Sequence, residues 1–559
     1  MAKISYILAS ILGFLSHYAY RRKEPTVARF IFSLAHITLF LLAQILLSDY
    51  HDDLTDLMSE MFKSLIVYHI FLCTSIGVYR ASPWHPLAKF DGPRMACLSK
   101  MWTVRLLLKG DRYSTYSRLH TQYGAWVRTG PNELSVNLTG AILPIYSTLS
   151  RSSFYRGIPA KVETLITMVG RKEHTARKRP WIKALSGENL HTYFPVANKR
   201  TAQFIEAISH HSSKQGPIDI GKWISLLLMD MIGEMSFTDG FEMVKEGRDV
   251  EGWIATLELG AKVVGVLGQI PWFRDIIELI PQKGPIEKFH EFTYQKVQQA
   301  RDQPDTPNAK KILSLIIHKT SLTDGEATAD ASLLIASSVE TTTQALVTLI
   351  RQVYSRPDIL SRIRNEICDV FGSDWDLQDL DLVKLNRLDY LGACIKEALR
   401  IRPPAPSGPP RTTGDNHVVI QGVTLPPNTT LHVPTWTLHH DPSNFKDPDS
   451  FIPERWLTLA NGDGDIIPHN QHAYIPFSSG FGVCPGKHLA LQNIKVISIY
   501  IFHRLNINLS KYTSLEKFDS SYRECGLWLH EPLLNYLFIP FYIGQKLACI
   551  ERKMAYSHL

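Results

Sequence analysis

The chain has 559 residues, 45% of them hydrophobic and 20% charged, a balance that excludes a disordered polypeptide and allows a large core. Its formal charge of +7 is modest for this length, and no long Lys/Arg block is interleaved with aromatics, which excludes a nucleic-acid groove. The seven cysteines (Cys73, Cys97, Cys368, Cys394, Cys484, Cys525 and Cys549) are odd in number, scattered and never spaced as CxxC. That pattern argues against a disulfide framework or a zinc cluster and fits a reducing compartment.

Three apolar stretches open the chain, at roughly Ile4 to Tyr20, Phe30 to Ser48 and Ser64 to Tyr79, each near the length of a bilayer-spanning helix. Residues 1–80 thus read as a membrane anchor with up to three transmembrane helices. Arg21, Arg22, Lys23 and Arg29 follow the first stretch, Asp49, Asp52, Asp53 and Asp56 the second, and Arg80, Lys89 and Arg94 the third. This asymmetry puts the amino terminus in the lumen and everything after the third stretch in the cytosol. Lys63 and His69 weaken the third stretch as a span. Residues 81–93, with Pro83, Pro86 and Pro93, form a stiff connector, and residues 94–559 form the domain that follows it.

Within that domain, Ala125 to Arg128 and Leu134 to Val136 flank Gly130-Pro131-Asn132 and read as a hairpin. Apolar periodicity predicts helices around 160–186, 195–212, 218–236, 284–301, 326–354, 358–371 and 388–401, with short strands between Val418 and Val433. The fold class is mostly α with a small β part.

The segment from Phe477 to Gly486 carries Cys484 between glycines and runs into a helical pattern at Lys487-His488-Leu489-Ala490. Glycines let the backbone approach a flat cofactor and turn its N–H groups toward a sulfur anion, and the positive end of the following helix favours the thiolate. Taken alone, Cys484 would be a small buried hydrophobe. Its flanking pattern, Phe477-x-x-Gly480-x-x-x-Cys484-x-Gly486-x-x-Leu489-Ala490, resembles the heme-binding signature of the cytochrome P450 family. Three more elements of that family occur in its order: Glu397-x-x-Arg400, Phe451-x-Pro453-Glu454-Arg455-Trp456, and Ser337-Ser338-Val339-Glu340-Thr341-Thr342.

The resemblance implies a cytochrome P450 fold preceded by transmembrane helices, heme b as cofactor, and Cys484 as the axial ligand of its iron, with Phe477, Gly480 and Gly486 shaping the loop. It implies that Glu397, Arg400 and Arg455 form a buried scaffold, where a carboxylate between two guanidiniums compensates charges that are costly alone. His174 and Lys178, four apart, and Arg411 match the family's partners of the heme propionates, which makes Ala405 to Pro409 part of the substrate pocket. Glu340 and Thr341 interrupt an apolar helix and are the expected proton-delivery pair for dioxygen cleavage. Ser338 stands where the family has Gly. Position 482, Arg or His in the family, is Gly482, which removes a propionate partner that Lys487 is poorly placed to replace.

As a member of that family, the chain would be a heme-thiolate monooxygenase that inserts one atom of O2 into an apolar small molecule. Electrons would come from an NADPH-dependent flavin reductase docking on a basic face made by Arg171, Lys172, Arg177, Arg179, Lys183 and Lys487. The multi-span start and the Leu119 to Ser135 pattern are similar to fungal members that tailor secondary metabolites, in the endoplasmic reticulum membrane. The rival readings are a peroxide-rearranging or isomerase-type member without external electrons, which has no need of Glu340 and Thr341, and a non-catalytic heme sensor.

Overall fold

The computed structural model describes residues 2–21, 34–35, 37–39 and 42. From 54 to 538 it describes all but 159, 161, 238–239, 278, 280–283, 303–310, 318–321, 373–379, 458–468 and 509–513. The chain opens with α1 (Ala2–Tyr20) and α2 (Leu54–Ala81), which pack side by side. Tyr6 Oη donates to Glu60 Oε2 (2.6 Å), Tyr68 Oη donates to Ser16 Oγ (3.0 Å), and His17 Nδ1 lies 2.6 Å from Ser75 Oγ. The partner numbers rise together, so the two helices run parallel. They approach closely at Gly13, since a Cβ there would lie 2.8 Å from the Tyr68 carbonyl oxygen.

Within α2, Met58–Ala81 is long and apolar enough to cross a membrane, while Ser5–Ala19 is a shorter apolar segment of α1. Lys63 and His69 are satisfied locally, by Glu60 (2.7 Å) and by the Leu65 carbonyl (2.8 Å). Most of the second apolar stretch lies outside the described residues, although Ile37 is buried against Ala9 and Tyr68. The connector is docked on the domain rather than hanging free of it. Arg80 Nη1 donates to the Leu98 carbonyl (2.7 Å), and the Arg128 N–H donates to the Asp91 carbonyl (2.8 Å).

The expected hairpin forms from β1 (Trp126–Gly130) and β2 (Glu133–Val136), antiparallel with a register break between Arg128 and Gly130. They join β3 (Ser150–Arg151), β4 (Arg411–Thr412) and β5 (Thr430–His432) in one sheet of order β1-β2-β5-β4-β3. Only the β2–β5 pair is parallel. The strands expected between Val418 and Val433 are Val418–Ile420, Val423–Leu425 and β5.

Beside a small three-stranded sheet of Ile218–Asp219, Leu534–Phe538 and Asn506–Asn508 and a pair of Arg523–Glu524 with Trp528–Leu529, the larger helices are α3 (Arg171–Ala184), α4 (Gly187–Gln215), α5 (Ile220–Ser236), α6 (Trp253–Leu267), α7 (Pro285–Asp302), α8 (Asp324–Tyr354), α9 (Pro357–Phe371), α10 (Asp389–Ile401) and α11 (Lys487–Arg504). Two expectations need correction. The helix expected from 160 begins at Arg171, because the Arg151 guanidinium takes the carbonyls of Leu165, Ile166 and Met168 and the Thr167 hydroxyl takes the Thr164 N–H. These side chains give the backbone an alternative to helix bonding. The helix expected from 195 begins at Gly187 and runs through Pro195.

At 31 residues, α8 is roughly 46 Å long by its rise per residue. A capping box of Thr323 and Glu326 starts it. It too is long and apolar enough to cross a membrane, but most of its surface is buried within the domain, against α5, α7 and α10. Its hydrophobicity therefore belongs to the core.

Glu397 on α10 is fully buried and accepts five hydrogen bonds: from Nε and Nη2 of Arg400 (2.9 and 2.8 Å), Nε of Arg455 (3.2 Å), the Ile452 N–H (3.0 Å) and Nε1 of Trp456 (2.8 Å). Arg400 also donates to the carbonyls of His439, Pro448 and Ser450. Three charges with no exposure are tolerable only because each is paired and hydrogen-bonded. Replacing Glu397 by Ala leaves two guanidiniums buried without a counter-charge and should cost about 3–5 kcal/mol. Urea unfolding of the full chain in detergent checks this, and a loss below about 1 kcal/mol would contradict it.

Candidate active site

A cavity of about 2290 Å³ lies between α8, α3, the Pro-rich run after α10 and the cysteine loop. Phe477, Gly482, Cys484 and Gly486 line it from the loop, Glu340 and Thr341 from α8, and His174 and Lys178 from α3. Ala405, Ser407, Gly408 and Pro409 line it as well. Residues far apart in the chain are thus gathered around one space. Glu397, Arg400 and Arg455 lie outside the wall and act on it through the backbone, and Gly480 and the fully buried Arg411 do not line it either.

The loop is held by its own turns. Ser478 and Gly480 have φ of +63° and +62°, and a Cβ on Gly480 would overlap the Tyr146 carbonyl, so glycine is required there. The Cys484 N–H donates to the Phe477 carbonyl (3.0 Å), and Lys178 Nζ donates to the carbonyls of Phe481 (2.9 Å) and Val483. Lys178 therefore clamps the loop as well as charging the cavity. Gly486 is less constrained: its φ is −83°, and a Cβ would meet the Cys484 sulfur at an ordinary 3.8 Å.

The sulfur opens onto the cavity yet sits deep in the fold. Burial raises the thiol pKa, while the N–H groups of Gly486 and Lys487 and the Lys178 ammonium pull it down. Burial wins. The helix end and N–H groups favour the thiolate, as expected, without ionising it unaided; a thiol that coordinated a metal would lose its proton to solvent.

Beside the loop is a buried group of bases. Arg151 and Arg411 face each other across β3 and β4, and His174 and Lys178 lie next to them. His174 is held down at about 3 by burial and by Arg151, Lys178 and Arg411, and Lys178 at about 8 chiefly by burial. His174 Nδ1 and the Nε atoms of Arg151 and Arg411 are buried without hydrogen-bond partners among the described residues. Like charges directly opposite one another on neighbouring strands are unfavourable, and orphaned donors are costly. This arrangement suits a ligand bearing carboxylates.

On α8, Glu340 is pushed up to about 7 by burial and by the charge of Glu258. It therefore holds and releases a proton near neutral pH. Thr341 Oγ1 donates to the Ser337 carbonyl (2.8 Å) one turn back. The Ser338 hydroxyl is turned in the same way to the Leu334 carbonyl (2.7 Å) and adds a polar group to the cavity wall.

Of the expected basic face, Arg171, Lys172, Arg179, Lys183 and Lys487 are exposed. Arg177 is not: it is buried and paired with Asp330 (2.9 Å) and Glu326 (2.7 Å), tying α3 to α8. Three participants had no signal in sequence. Arg151 belongs to no motif. His439 bridges the Arg400 carbonyl (Nδ1, 3.1 Å) and the Ile475 N–H (Nε2, 3.1 Å), so it connects α10 to the residues just before the loop. Glu524 accepts from Ser407 (2.5 Å) and Arg112 (2.9 Å), two residues that line the cavity.

The family description Cytochrome P450 matches residues 110–538. Cytochrome P450 67 of Uromyces fabae is 25% identical over 95% of this chain and 98% of its own length. A cytochrome P450 monooxygenase of Penicillium fellutanum, phqL, is 30% identical over 79% and 78%. Tryprostatin B 6-hydroxylase of Neosartorya fischeri is 27% identical over 81% and 82%. The match spans the sheet, the helices from α3 to α11 and the cysteine loop described above, and the chain belongs to the cytochrome P450 family.

Proposed function

We propose that this P450 monooxygenase inserts one oxygen atom of O2 into an apolar small molecule in secondary-metabolite biosynthesis, with electrons from an NADPH-dependent flavin reductase. The observation that carries this reading is that Cys484 opens onto the same cavity as Glu340 and Thr341. The family implies a heme iron. For heme b, Cys484 would hold the iron, and His174, Lys178, Arg151 and Arg411 would meet the two propionates, whose charge matches the unpaired bases there. When bound, the heme supplies the iron centre at which O2 is reduced and split.

The residues of the chain do the rest. Glu340 carries a proton into the cavity and Thr341 presents a hydroxyl one residue further along the same wall. Leu228, Leu257, Phe289 and Leu333 give the cavity apolar surface for the substrate. The proton pair favours oxygen insertion over the rearranging and sensor readings. Hydroxylation, of tryprostatin B, is also what the name of the Neosartorya fischeri relative describes.

The parallel course of α1 and α2 supports a multi-pass anchor: two parallel spans require the chain between them to recross the bilayer, and the second apolar stretch lies there. We assign residues 1–80 to that anchor, 81–93 to the connector and 94–559 to the monooxygenase domain. The domain faces the cytosol at the endoplasmic reticulum, with Arg171, Lys172, Arg179, Lys183 and Lys487 toward the reductase.

The reduced, carbon-monoxide difference spectrum of the membrane-bound protein should give the thiolate-type band, and Cys484→Ser should abolish it. Wild-type protein that carries heme without that band would refute the assignment. Because Glu340 is protonated below about pH 7 and ionised above, product formed per NADPH should fall as pH rises through 7. Glu340→Gln should remove that pH dependence, lower product formation by about 10²-fold and release hydrogen peroxide instead. With the reductase supplied separately, turnover should fall severalfold between 0.05 and 0.5 M salt, roughly the range over which screening shortens to a few Å. Lys172→Glu with Lys183→Glu should flatten that dependence, and indifference of the wild type to salt would remove the docking face.

A further inference from the structure

The pattern of the family sets Arg or His at position 482, and its loss here looks at first like a lost cation. The structure shows that its space is already taken. Arg411 is fully buried, and its guanidinium lies 5.2 Å from the ring centres of both Tyr146 and Phe481. Nη1 donates to Tyr155 Oη (3.3 Å) and to the Pro410 carbonyl (3.1 Å), while Nη2 lies against the Cα of Gly482 where a Cβ would overlap it.

We propose that the Arg411 guanidinium occupies the space of the missing side chain, and that residue 482 is glycine because only glycine admits it. The inference rests on the heme reading above and names Arg411 as the positioning cation on both sides of that relocation. A long arginine can usually swing aside. Here the two rings, Tyr155 and the Pro410 carbonyl hold it, and Arg151 stands directly opposite on the neighbouring strand, where a second guanidinium opposes its charge. Restoring the residue typical of the family should therefore weaken heme binding rather than strengthen it.

The test uses the full chain in detergent, with heme per polypeptide and the rate of heme transfer to excess apomyoglobin as readouts, and thermal unfolding as the check on folding. Gly482→Ala and Gly482→Arg should each speed heme loss about tenfold or more, and Arg411→Gln should do the same. Combining Gly482→Arg with Arg411→Gln should return the rate to within about threefold of wild type, because the introduced side chain then fills the vacated place. Heme retention in Gly482→Arg or Gly482→Ala equal to or better than wild type would overturn the proposal. So would a double variant that loses heme as fast as the worse single one. A wild type without heme would instead defeat the functional reading itself, and is seen before any variant is compared.

Discussion

The carboxylate of Glu397 is the point on which the architecture turns. It is buried with no access to water, and it survives there as an anion because two guanidiniums, an indole and a backbone N–H saturate its oxygens. The same bonds stitch the end of α10 to the segment from Lys446 to Trp456. His439 extends the chain of contacts: its one ring nitrogen bonds the Arg400 carbonyl and the other accepts the Ile475 N–H. Those two roles require a neutral imidazole, and burial with the nearby Arg400 charge holds its pKa well below the usual value. A path of satisfied polar groups thus runs from α10 to the residue two before Phe477, where the cysteine loop begins.

The loop then depends on steric limits more than on charge. Gly480 turns under the Tyr146 carbonyl, Ser478 adopts a left-handed backbone beside it, and Lys178 reaches from α3 to tie down two loop carbonyls. Cys484 is consequently presented by a frame held through contacts of the chain itself, an arrangement that would reduce the cost of holding an iron in one position. The opposite wall is different in kind. Glu340 and Thr341 sit on α8, whose interior position gives the carboxyl a pKa near 7 and makes it useful in proton transfer.

Positive charge is handled unevenly across the site. Arg177 is neutralised by Asp330 and Glu326 and serves packing between α3 and α8. Among the described residues, Arg151, Arg411 and Lys178 have no such carboxylate beside them and remain as unpaired positive charge around a neutral His174. The contrast separates a structural arginine from a ligand-directed one, although both lie near the same helix.

Periodicity and the four motifs were legible from the residues alone because they are local: apolar spacing specifies a helix, glycines specify the loop around Cys484, and Glu397 and Arg400 share one helix face by being three apart. They also sufficed to identify the fold class and the family. What sequence could not supply was anything set by contacts between distant segments. The helix expected from 160 was lost to the Arg151 guanidinium, Arg177 turned inward, and Arg151, His439 and Glu524 joined the site with no motif to announce them. Gly482 is the clearest case. As a letter it reads as a missing charge, whereas in three dimensions a side chain 71 positions earlier fills its space. Local pattern decides which chemistry the chain carries; tertiary packing decides which groups stand next to it, because only the folded core brings strands and loops from remote parts of the chain within bonding distance.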